Sequence, residues 1–417
     1  MTVLDQCQDA VAASAVLKRL TTAQKNAVLR DMVEAIETHR DSIIAANAED
    51  VAAAREAGTS ATLVDRLTLT ERRAAGLTAA IRTIIDLPDP SGRVVEGWTR
   101  PNGLRIERVL EPLGVIAVIY EARPNVTAEV AALCLKSGNC AILRGSSTAM
   151  HTNRAIMAAL DSAIAKHPGV PSAIVQLVDD PSREAALELM RAKGYVDLLV
   201  PRGGPELIAS VERNATVPTV IDGAGNCHLY IDATALPGMA TEVVVNAKTS
   251  RPSVCNAIET LLVHEDLAAD WLPGALDELA AAGVEIRGCA QVCEAWPKAV
   301  EATVDDWATE YLDLVLAVRV VSDVDEAIAH IREWGTGNAE GIVAQDIAVA
   351  NRFAREVDSG SVFVNASPRY SDGGEFGYGV EIGVSTQKLH ARGPMGLASL
   401  MTAKNVVWGD GQTRTVA

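Results

Sequence analysis

The sequence predicts an α/β protein with two doubly wound domains, each built on a parallel sheet, and a small β-arm. The main observation is that short segments rich in Val, Ile and Leu alternate with amphipathic helical segments. A second is the length of 417 residues, which exceeds that of one compact domain. A third is a segment near Leu104 where apolar and charged residues alternate, as in a strand with one solvated face.

Composition narrows the classes of function. The formal net charge of -17 disfavours a general nucleic-acid or anionic-membrane surface, because both attract basic proteins. The seven cysteines are scattered without a C-x-x-C pair, so we predict neither a disulfide framework nor a metal site. The N-terminus has no signal-peptide pattern and the longest apolar runs are strand-sized. We therefore expect a cytoplasmic protein without a membrane anchor.

The N-terminal part of the chain, Val3 to Asp86, predicts a layer of helices. Its apolar residues recur at helical spacing, and Thr21 with Gln24 has the pattern of a capping box. Asp41 and Gly58 are typical of the start and the end of a further helix. The charged positions of this layer are interpreted as solvated faces.

A first βα series follows this layer. Ligands of parallel sheets lie at the carboxyl ends of the strands, and polar segments follow several of these strands. Gly203 and Gly204 stand before a helix, where free N–H groups and the helix dipole favour a phosphate, although the turn could also be only a tight connection. The predicted strands are Gly114–Tyr120, Cys140–Arg144, Ala173–Val178, Val196–Val200 and Thr219–Asp222.

A second βα series runs from Cys227 to about Val364. After it, the segment from Ser367 to Gly396 is rich in glycine and polar residues, and a long irregular segment of this kind is more often functional or interface-forming than slack. A short strand, Asn405–Trp408, follows. The predicted strands of the second series are Cys227–Asp232, Ala257–Val263, Leu314–Val321, Gly341–Ala344 and Ser361–Asn365.

Cys255 is the candidate nucleophile. It lies between a polar turn containing Lys248 and Arg251 and an apolar run that predicts a buried strand. The thiolate is the reactive species and nearby cations favour it, so this position suits catalysis. A small, buried structural cysteine is the alternative. If a histidine takes part, His390 is the best candidate, because it lies in the glycine-rich segment beside Arg392.

Several long motifs resemble the γ-glutamyl phosphate reductase family, also called glutamate-5-semialdehyde dehydrogenase, within the aldehyde dehydrogenase superfamily. They follow the family's order over nearly the whole chain. The motifs are Val115-Ile-Ala-Val-Ile-Tyr-Glu-Ala-Arg-Pro-Asn-Val126, Val200-Pro-Arg-Gly-Gly204, Asn246-Ala-Lys-Thr-Ser-Arg-Pro-Ser-Val-Cys255-Asn, Val364-Asn-Ala-Ser367, Asp372-Gly-Gly-Glu-Phe-Gly377 and Ser385-Thr-Gln-Lys-Leu-His-Ala-Arg-Gly-Pro-Met-Gly396.

The resemblance implies an aldehyde dehydrogenase-like fold with a β-arm used in oligomerisation. It implies NADPH-dependent reduction of L-glutamyl 5-phosphate to L-glutamate 5-semialdehyde with release of phosphate, the second step of proline biosynthesis. Cys255 would attack the acyl phosphate, and the resulting thioester would accept hydride from the nicotinamide before it collapses to the aldehyde.

Two positions depart from the superfamily pattern. The general-base glutamate that activates water is matched by Ile221, which suits a reductase because its thioester must survive until hydride arrives. The superfamily's oxyanion asparagine is matched by Ala122. We therefore expect the Cys255 backbone N–H and Asn125 to hold the oxyanion.

The resemblance also assigns binding residues. For the substrate, the predicted contacts besides Asn125 are Arg123, Arg251, Asn365 and His390. Arg144 stands where the superfamily has a lysine near the adenosine ribose, and an arginine suits a 2′-phosphate. Glu310 resembles the glutamate that binds the nicotinamide ribose. The predicted cofactor contacts are Arg144, Ser146, Arg202, Gly203, Gly204 and Glu310.

The predicted domain organisation follows the two βα series. The nucleotide-binding domain takes residues 1–100 and 113–226, with 366–385 returning to it, the catalytic domain takes 227–365, and the oligomerisation arm and C-terminal tail take 101–112 and 386–417.

The predicted partners are a small-molecule substrate, further copies of the chain in a homo-oligomer, and glutamate 5-kinase in a complex. Two other functions stay open. A hydrolytic NAD(P) aldehyde dehydrogenase would reduce NADP without phosphate, and a non-catalytic scaffold of the same fold would not depend on Cys255.

Overall fold

A computed structural model describes residues 1–414, so the last residues of the predicted tail, 415–417, lie outside the described chain. The chain divides into two compact units. The first comprises Met1–Val220, Gly377–Gly383 and Met395–Ala417, and the second comprises Ile221–Phe376 and Val384–Pro394. The predicted domain ranges stay predictions.

The helices begin with the predicted N-terminal layer and then alternate with strands. Capping boxes start the first two helices, at Thr2 and at the predicted Thr21. The α-helices are α1 (Val3–Leu17), α2 (Thr22–Thr38), α3 (Arg40–Glu56), α4 (Ala61–Leu67), α5 (Glu71–Asp86), α6 (Asn125–Ser137), α7 (Met150–Ile164), α8 (Arg183–Met190), α9 (Pro205–Asn214), α10 (Pro237–Thr249), α11 (Leu272–Ala281), α12 (Ala290–Ala295), α13 (Val304–Ala308), α14 (Val324–Trp334) and α15 (Ile347–Glu356).

Most of the predicted strands are present, with changes at their ends. The strands are β1 (Val94–Thr99), β2 (Arg105–Pro112), β3 (Val115–Tyr120), β4 (Cys140–Gly145), β5 (Val175–Leu177), β6 (Leu198–Arg202), β7 (Cys227–Ile231), β8 (Ile258–His264), β9 (Glu285–Gly288), β10 (Val300–Glu301), β11 (Val315–Val321), β12 (Ala339–Val343), β13 (Ser361–Val364), β14 (Gly383–Ser385), β15 (Gly393–Met395) and β16 (Met401–Trp408). Of these, β1, β9, β10, β14 and β15 were not predicted.

The first unit is built on a parallel sheet with strand order β5-β4-β3-β6. All residues of β3 are buried, as expected for a strand covered on both faces. The helix α6 that follows β3 is also buried along most of its length and ends at Gly138, whose φ of 83° is the left-handed cap that glycine adopts readily. The loops after β3, β4 and β6 therefore lie at one edge of this sheet.

The predicted arm belongs to a separate antiparallel sheet in the first unit, with order β1-β2-β16. The alternation near Leu104 predicted β2, whereas β1 was not predicted and β16 is longer than the predicted Asn405–Trp408. Several large apolar side chains on β1 and β16 are exposed: Val94, Val95, Trp98, Val407 and Trp408.

The second unit is built on a larger parallel sheet with order β10-β9-β11-β8-β7-β12-β13. Its core lies on both faces, because alternate residues of one strand enter different apolar clusters. Leu261 and Val263 of β8 pack in one cluster, and Leu262 between them packs in the other. Cys255 precedes β8 by a few residues and so lies at the amino end of this central strand.

The predicted strand Thr219–Asp222 is wrong. Thr219 forms an isolated parallel bridge with Leu199, and Asp222 forms an isolated antiparallel bridge with Ser385. The segment changes its partner and direction within a few residues, so no continuous ladder forms. The boundary between the two units falls inside it, after Val220.

Within residues 1–414, no helix combines the length and the apolar character that crossing a bilayer requires.

Candidate active site

Cys255 lies in the loop between α10 and β8 and is partly exposed. Cys7, Cys134, Cys140 and Cys227 are buried, and burial raises the pKa of each of these thiols. A buried thiol with a raised pKa is a poor nucleophile at neutral pH. Exposure therefore separates Cys255 from these four, although Cys289 and Cys293 are partly exposed as well.

The backbone of Cys255 is in contact with Gly225, which precedes β7, and with Cys227, the first residue of β7. A side chain on Gly225 would collide with the Cys255 carbonyl oxygen, so only glycine fits here. The Cys227 thiol donates to that same carbonyl at 3.1 Å. The Gly225 N–H in turn donates to Glu310 Oε1 at 2.7 Å. These contacts fix the peptide of the candidate nucleophile without covering its side chain.

The prediction that Lys248 flanks the thiol as a cation is wrong. Lys248 is fully buried, and its Nζ lies 2.5 Å from Oε2 of Glu259, which is also fully buried. The carboxylate compensates the ammonium charge. The physical reason is helical geometry, because Lys248 follows the buried Val244 by four residues and lies on the same inward face of α10.

Arg369, which the sequence analysis did not single out, supplies a cation near Cys255. Its Nε donates to Ser250 Oγ at 3.1 Å, and its carbonyl accepts from Asn256 Nδ2 at 3.2 Å. Burial lowers the pKa of Arg369, the positive charge of Arg251 lowers it further, and Asp372 and Cys255 raise it. Arg369 thus contacts Ser250, the residue before Arg251, and Asn256, the residue after Cys255, so it brings a guanidinium group to the loop that carries the cysteine. A cation at this loop attracts an anion.

The other predicted residues of the second unit differ in their surroundings. Asn365 has a φ of 56°, and its carboxamide accepts from the Ala344 N–H and donates to the Ala344 carbonyl, both at 2.9 Å. These bonds use both polar atoms of the carboxamide, so the side chain has a structural role. His390 is exposed in the loop between β14 and β15. Ile221 is buried, and its N–H donates to Gln387 Oε1 at 2.9 Å.

In the first unit, the loop after β3 combines backbone strain with charged side chains. Ala122 has a φ of 25°, which L-residues rarely adopt, and such strain concentrates at functional sites. Asn125, the first residue of α6, donates from Nδ2 to Glu129 Oε2 at 3.0 Å. Burial raises the pKa of Glu129 to about 7, while Asn125, Arg202 and Arg123 oppose the shift. Glu129 was not predicted, although it lies one helical turn after Asn125.

The predicted phosphate turn already holds a carboxylate. The Gly204 N–H, at the start of α9, donates to Glu121 Oε2 at 2.8 Å, and a side chain on Gly203 would collide with Glu121 and Leu207. The helix N-terminus therefore attracts an anion, as predicted, but the anion in the structure belongs to the chain itself.

Arg144 lies at the end of β4 and points to the start of α8. Its Nη2 donates to the carbonyls of Pro181 at 2.5 Å and Ser182 at 3.0 Å, and burial lowers its pKa. Its Nε is buried and has no hydrogen-bond partner within the described chain. Ser146 Oγ lies 2.6 Å from Thr148 Oγ1 and accepts from the Ala122 N–H at 3.4 Å.

Comparison with known proteins decides the family. The sequence matches the aldehyde dehydrogenase family over residues 2–286 and 299–405. It is 51% identical to the γ-glutamyl phosphate reductase of Moorella thermoacetica over 407 residues, covering 98% of this chain and 97% of the relative. The reductase of Geobacillus thermodenitrificans is 48% identical over 414 residues, 99% of both chains. The crystal structure of the Thermotoga maritima reductase matches with a TM-score of 0.97 at 46% identity, covering 100% of both chains.

The chain belongs to the γ-glutamyl phosphate reductases of the aldehyde dehydrogenase family.

Membership in this reductase family confirms the predicted fold and the predicted class of enzyme, an oxidoreductase. It also implies a nicotinamide cofactor. The residues of the first unit fit such a ligand in one respect and resist it in another. The orphaned Arg144 Nε is a donor suited to a phosphate oxygen, whereas Glu121 occupies the Gly204 N–H that a pyrophosphate would use. The individual site residues remain predictions.

Proposed function

We propose that the protein reduces L-glutamyl 5-phosphate to L-glutamate 5-semialdehyde with NADPH and releases phosphate, the second step of proline biosynthesis from glutamate. The observation that carries the proposal is Arg369, which bonds Ser250 and Asn256 on either side of the partly exposed Cys255, in a loop that also contains Arg251. An acyl phosphate needs a nucleophile at its carbonyl carbon and cations at its phosphate, and this arrangement offers both.

The first step is acyl transfer to sulfur. The Cys255 thiolate attacks the acyl carbon, the bond from that carbon to the phosphate oxygen breaks, and phosphate leaves with the electron pair. We propose that Arg369, which contacts the cysteine loop at Ser250, and Arg251 of that loop neutralise the charge that develops on the leaving group. The Cys255 backbone N–H and Asn125 remain our proposed donors to the oxyanion.

The second step consumes the thioester. When bound, NADPH would supply the hydride that reduces the thioester carbonyl to the aldehyde level. Expulsion of the Cys255 thiolate then releases the semialdehyde and regenerates the enzyme. We propose Arg144 and Ser146 for the 2′-phosphate end of NADPH, Arg202, Gly203 and Gly204 for the pyrophosphate, and Glu310 for the nicotinamide ribose.

The buried Ile221 supports a reductase over a hydrolytic aldehyde dehydrogenase. A carboxylate at this position would activate water against the thioester, and an apolar side chain cannot accept the proton of that water. The thioester then persists until it is reduced. Arg123 and His390 stay proposed contacts for the amino-acid head of the substrate, and Asn365 is the weakest of the proposed contacts because its carboxamide bonds the Ala344 backbone.

We further propose a homo-oligomer, a complex with glutamate 5-kinase, and a cytoplasmic location. The exposed apolar side chains on the β1-β2-β16 sheet support association of this sheet with another copy. Within residues 1–414, none of the seven cysteines forms a disulfide, which fits a reducing compartment.

The test is NADP reduction by the purified protein with glutamate semialdehyde, with and without inorganic phosphate. We expect activity that requires phosphate and that falls at least about a thousandfold in Cys255→Ser, while Cys289→Ser, which changes another partly exposed thiol, retains it. Activity without phosphate would mean that water resolves the thioester. Absence of all activity would favour the scaffold.

A further inference from the structure

The buried ion pair of Lys248 and Glu259 encloses the nucleophile loop. Lys248 lies in the last turn of α10, Glu259 is the second residue of β8, and Cys255 lies in the loop between them. Neither side chain is exposed to solvent, and the two charges lie 2.5 Å apart. The pair therefore joins the two ends of the loop that carries the cysteine.

A buried ion pair of this kind calls for a reason other than stability. Two charges lose their hydration on burial, and an apolar pair of the same size often stabilises a protein as well or better. In some proteins such pairs are retained because they fix one arrangement of the chain. The structure shows what Glu259 fixes.

The second oxygen of Glu259 holds a strained residue. Oε1 accepts the Leu312 N–H at 3.1 Å, and Leu312 has a φ of 54°, in the left-handed region that a branched side chain rarely adopts. Strained residues persist only when their surroundings hold them. The glutamate that pairs with Lys248 is one of the groups that holds Leu312.

The residue before Leu312 is held by the same cluster. The Tyr311 ring lies 5.9 Å from Lys248 Nζ and 5.3 Å from the Arg287 guanidinium, and its hydroxyl donates to Asp306 Oδ1 at 2.8 Å. Cation–π contacts thus fix the ring between two cations. The backbone of this segment has little freedom to shift.

The held segment reaches back to the nucleophile. Glu310 precedes Tyr311 and accepts the Gly225 N–H at 2.7 Å, and Gly225 packs directly against the Cys255 carbonyl. A continuous series of contacts therefore runs from the ion pair through Leu312 and Glu310 to the back of Cys255. A displacement of the 310–312 segment would move Gly225 and with it the peptide of the cysteine.

We propose that Lys248 and Glu259 are positioning residues that hold Glu310 and the Cys255 peptide in the reactive arrangement. This inference rests on the proposed function only in taking Cys255 as the nucleophile and Glu310 as a cofactor contact. Neither Lys248 nor Glu259 touches the reacting atoms in this proposal.

Two double variants test the proposal. Lys248→Met/Glu259→Leu replaces the ion pair by apolar side chains and removes the acceptor of the Leu312 N–H, whereas Lys248→Met/Glu259→Gln removes the charges but keeps an acceptor oxygen. We expect the Leu variant to lose at least about tenfold in kcat and to raise KM for the cofactor, and the Gln variant to recover most of both. The matched control is Lys298→Gln/Asp277→Asn, an exposed pair of the same unit, which should match the wild type.

Two further measurements compare the variants with the wild type. Thermal unfolding measures stability, and alkylation of Cys255 by iodoacetamide, followed by mass spectrometry, measures the reactivity of the thiol. We expect the Leu variant to unfold near the wild-type temperature yet to be alkylated at Cys255 at a different rate. Wild-type kcat in the Leu variant, a loss of kcat that follows the loss of thermal stability, or failure of both double variants to fold would show a merely structural pair and overturn the proposal. Alkylation needs no substrate, so an inactive wild-type protein would contradict the proposed function while this proposal is still tested.

Discussion

The surroundings of Cys255 and the predicted nucleotide contacts use their polar groups in opposite ways. Around Cys255, the Cys227 thiol donates to the backbone carbonyl and Gly225 packs against the same carbonyl, while Cys255 is partly exposed. At the predicted nucleotide contacts, the Gly204 N–H that would bind a pyrophosphate is bonded to Glu121, whereas the Arg144 Nε has no partner within the described residues. If Cys255 is the nucleophile, its peptide is already fixed, whereas a pyrophosphate at the predicted turn would have to displace Glu121 from the Gly204 N–H.

This difference has a physical consequence for catalysis and binding. A preorganised nucleophile loses little free energy in reaching its reactive geometry. A ligand that must displace an internal carboxylate from a helix N-terminus binds more weakly than one that meets free N–H groups. Changes near Cys255 should therefore affect the rate, and changes near Gly204 should affect cofactor affinity.

The largest of these effects is expected at the arginine pair. Arg369→Ala removes one of the two cations that we propose for the phosphate, and a hydrogen bond to a charged group contributes about 1.5 to 3 kcal/mol. We expect KM for phosphate in the reverse reaction to rise about 10- to 100-fold, with a smaller rise in Arg369→Lys. Steady-state kinetics at varied phosphate would measure it.

The control for Arg369→Ala is Arg352→Ala, which removes an arginine that pairs with Asp325 and Glu356 on the surface of the same unit. Surface ion pairs contribute little, so its kinetics should match the wild type. An unchanged KM for phosphate in Arg369→Ala would leave Arg251 alone as the cation of the leaving group.

Cys255 could be singled out as the candidate nucleophile because its signals are local. The cysteine, the polar turn before it and the apolar strand after it occupy one continuous stretch. The positions of most strands along the chain could be predicted for the same reason, because each apolar run lies within a few residues. Arg369 could not be found in this way. Arg369 follows Cys255 by 114 residues (369 minus 255), and its hydrogen bond to Ser250 forms only in the folded chain.

The errors at Lys248 and at Thr219–Asp222 have different physical causes. We predicted Lys248 to be a cation beside the thiol because it is close to Cys255 in sequence. The helical period places it instead on the buried face of α10, with Val244. This period can be recognised in the sequence alone. The apolar run at Val220 and Ile221 predicted a strand, yet the segment forms its two isolated bridges with different partners in opposite directions. Such a change of partner has no local signal.

A smaller effect, on cofactor affinity, is expected at Glu121, which bonds the Gly204 N–H of the predicted nucleotide site. Glu121→Ala removes the carboxylate that accepts the Gly204 N–H and that would repel a pyrophosphate. Because interactions of charges with a helix end are worth about 0.3 to 1 kcal/mol, we expect KM for NADPH to fall about two- to fivefold. Fluorescence titration with NADPH would give the same change in Kd.

Glu121→Gln serves as the companion variant, since its amide keeps an acceptor for the Gly204 N–H without the negative charge. An intermediate affinity is expected. A higher KM for NADPH in both variants would mean that Glu121 supports the loop for cofactor binding. Glu121 would then not compete with the cofactor, and the proposed difference between the two regions would be wrong.

The smallest effect is expected in the pH dependence of stability at Glu129. Burial raises the pKa of this carboxyl to about 7 from the ordinary value of 4.5, so the folded protein binds the proton more tightly than the unfolded chain does. The contribution of Glu129 to stability therefore declines as pH rises from about 4.5 to about 7 and stays constant above. Glu129→Gln keeps an acceptor for Asn125 and abolishes this titration.

Thermal unfolding of the wild type and Glu129→Gln at pH 5 and pH 8 would measure the effect. The variant should gain stability relative to the wild type at the higher pH, because the charged carboxylate is no longer buried. Glu333→Gln, a change of an exposed carboxylate on α14, should give no such gain. Equal pH dependence in all three proteins would mean that Glu129 stays solvated, and the polar groups after β3 would then be as accessible as the thiol of Cys255.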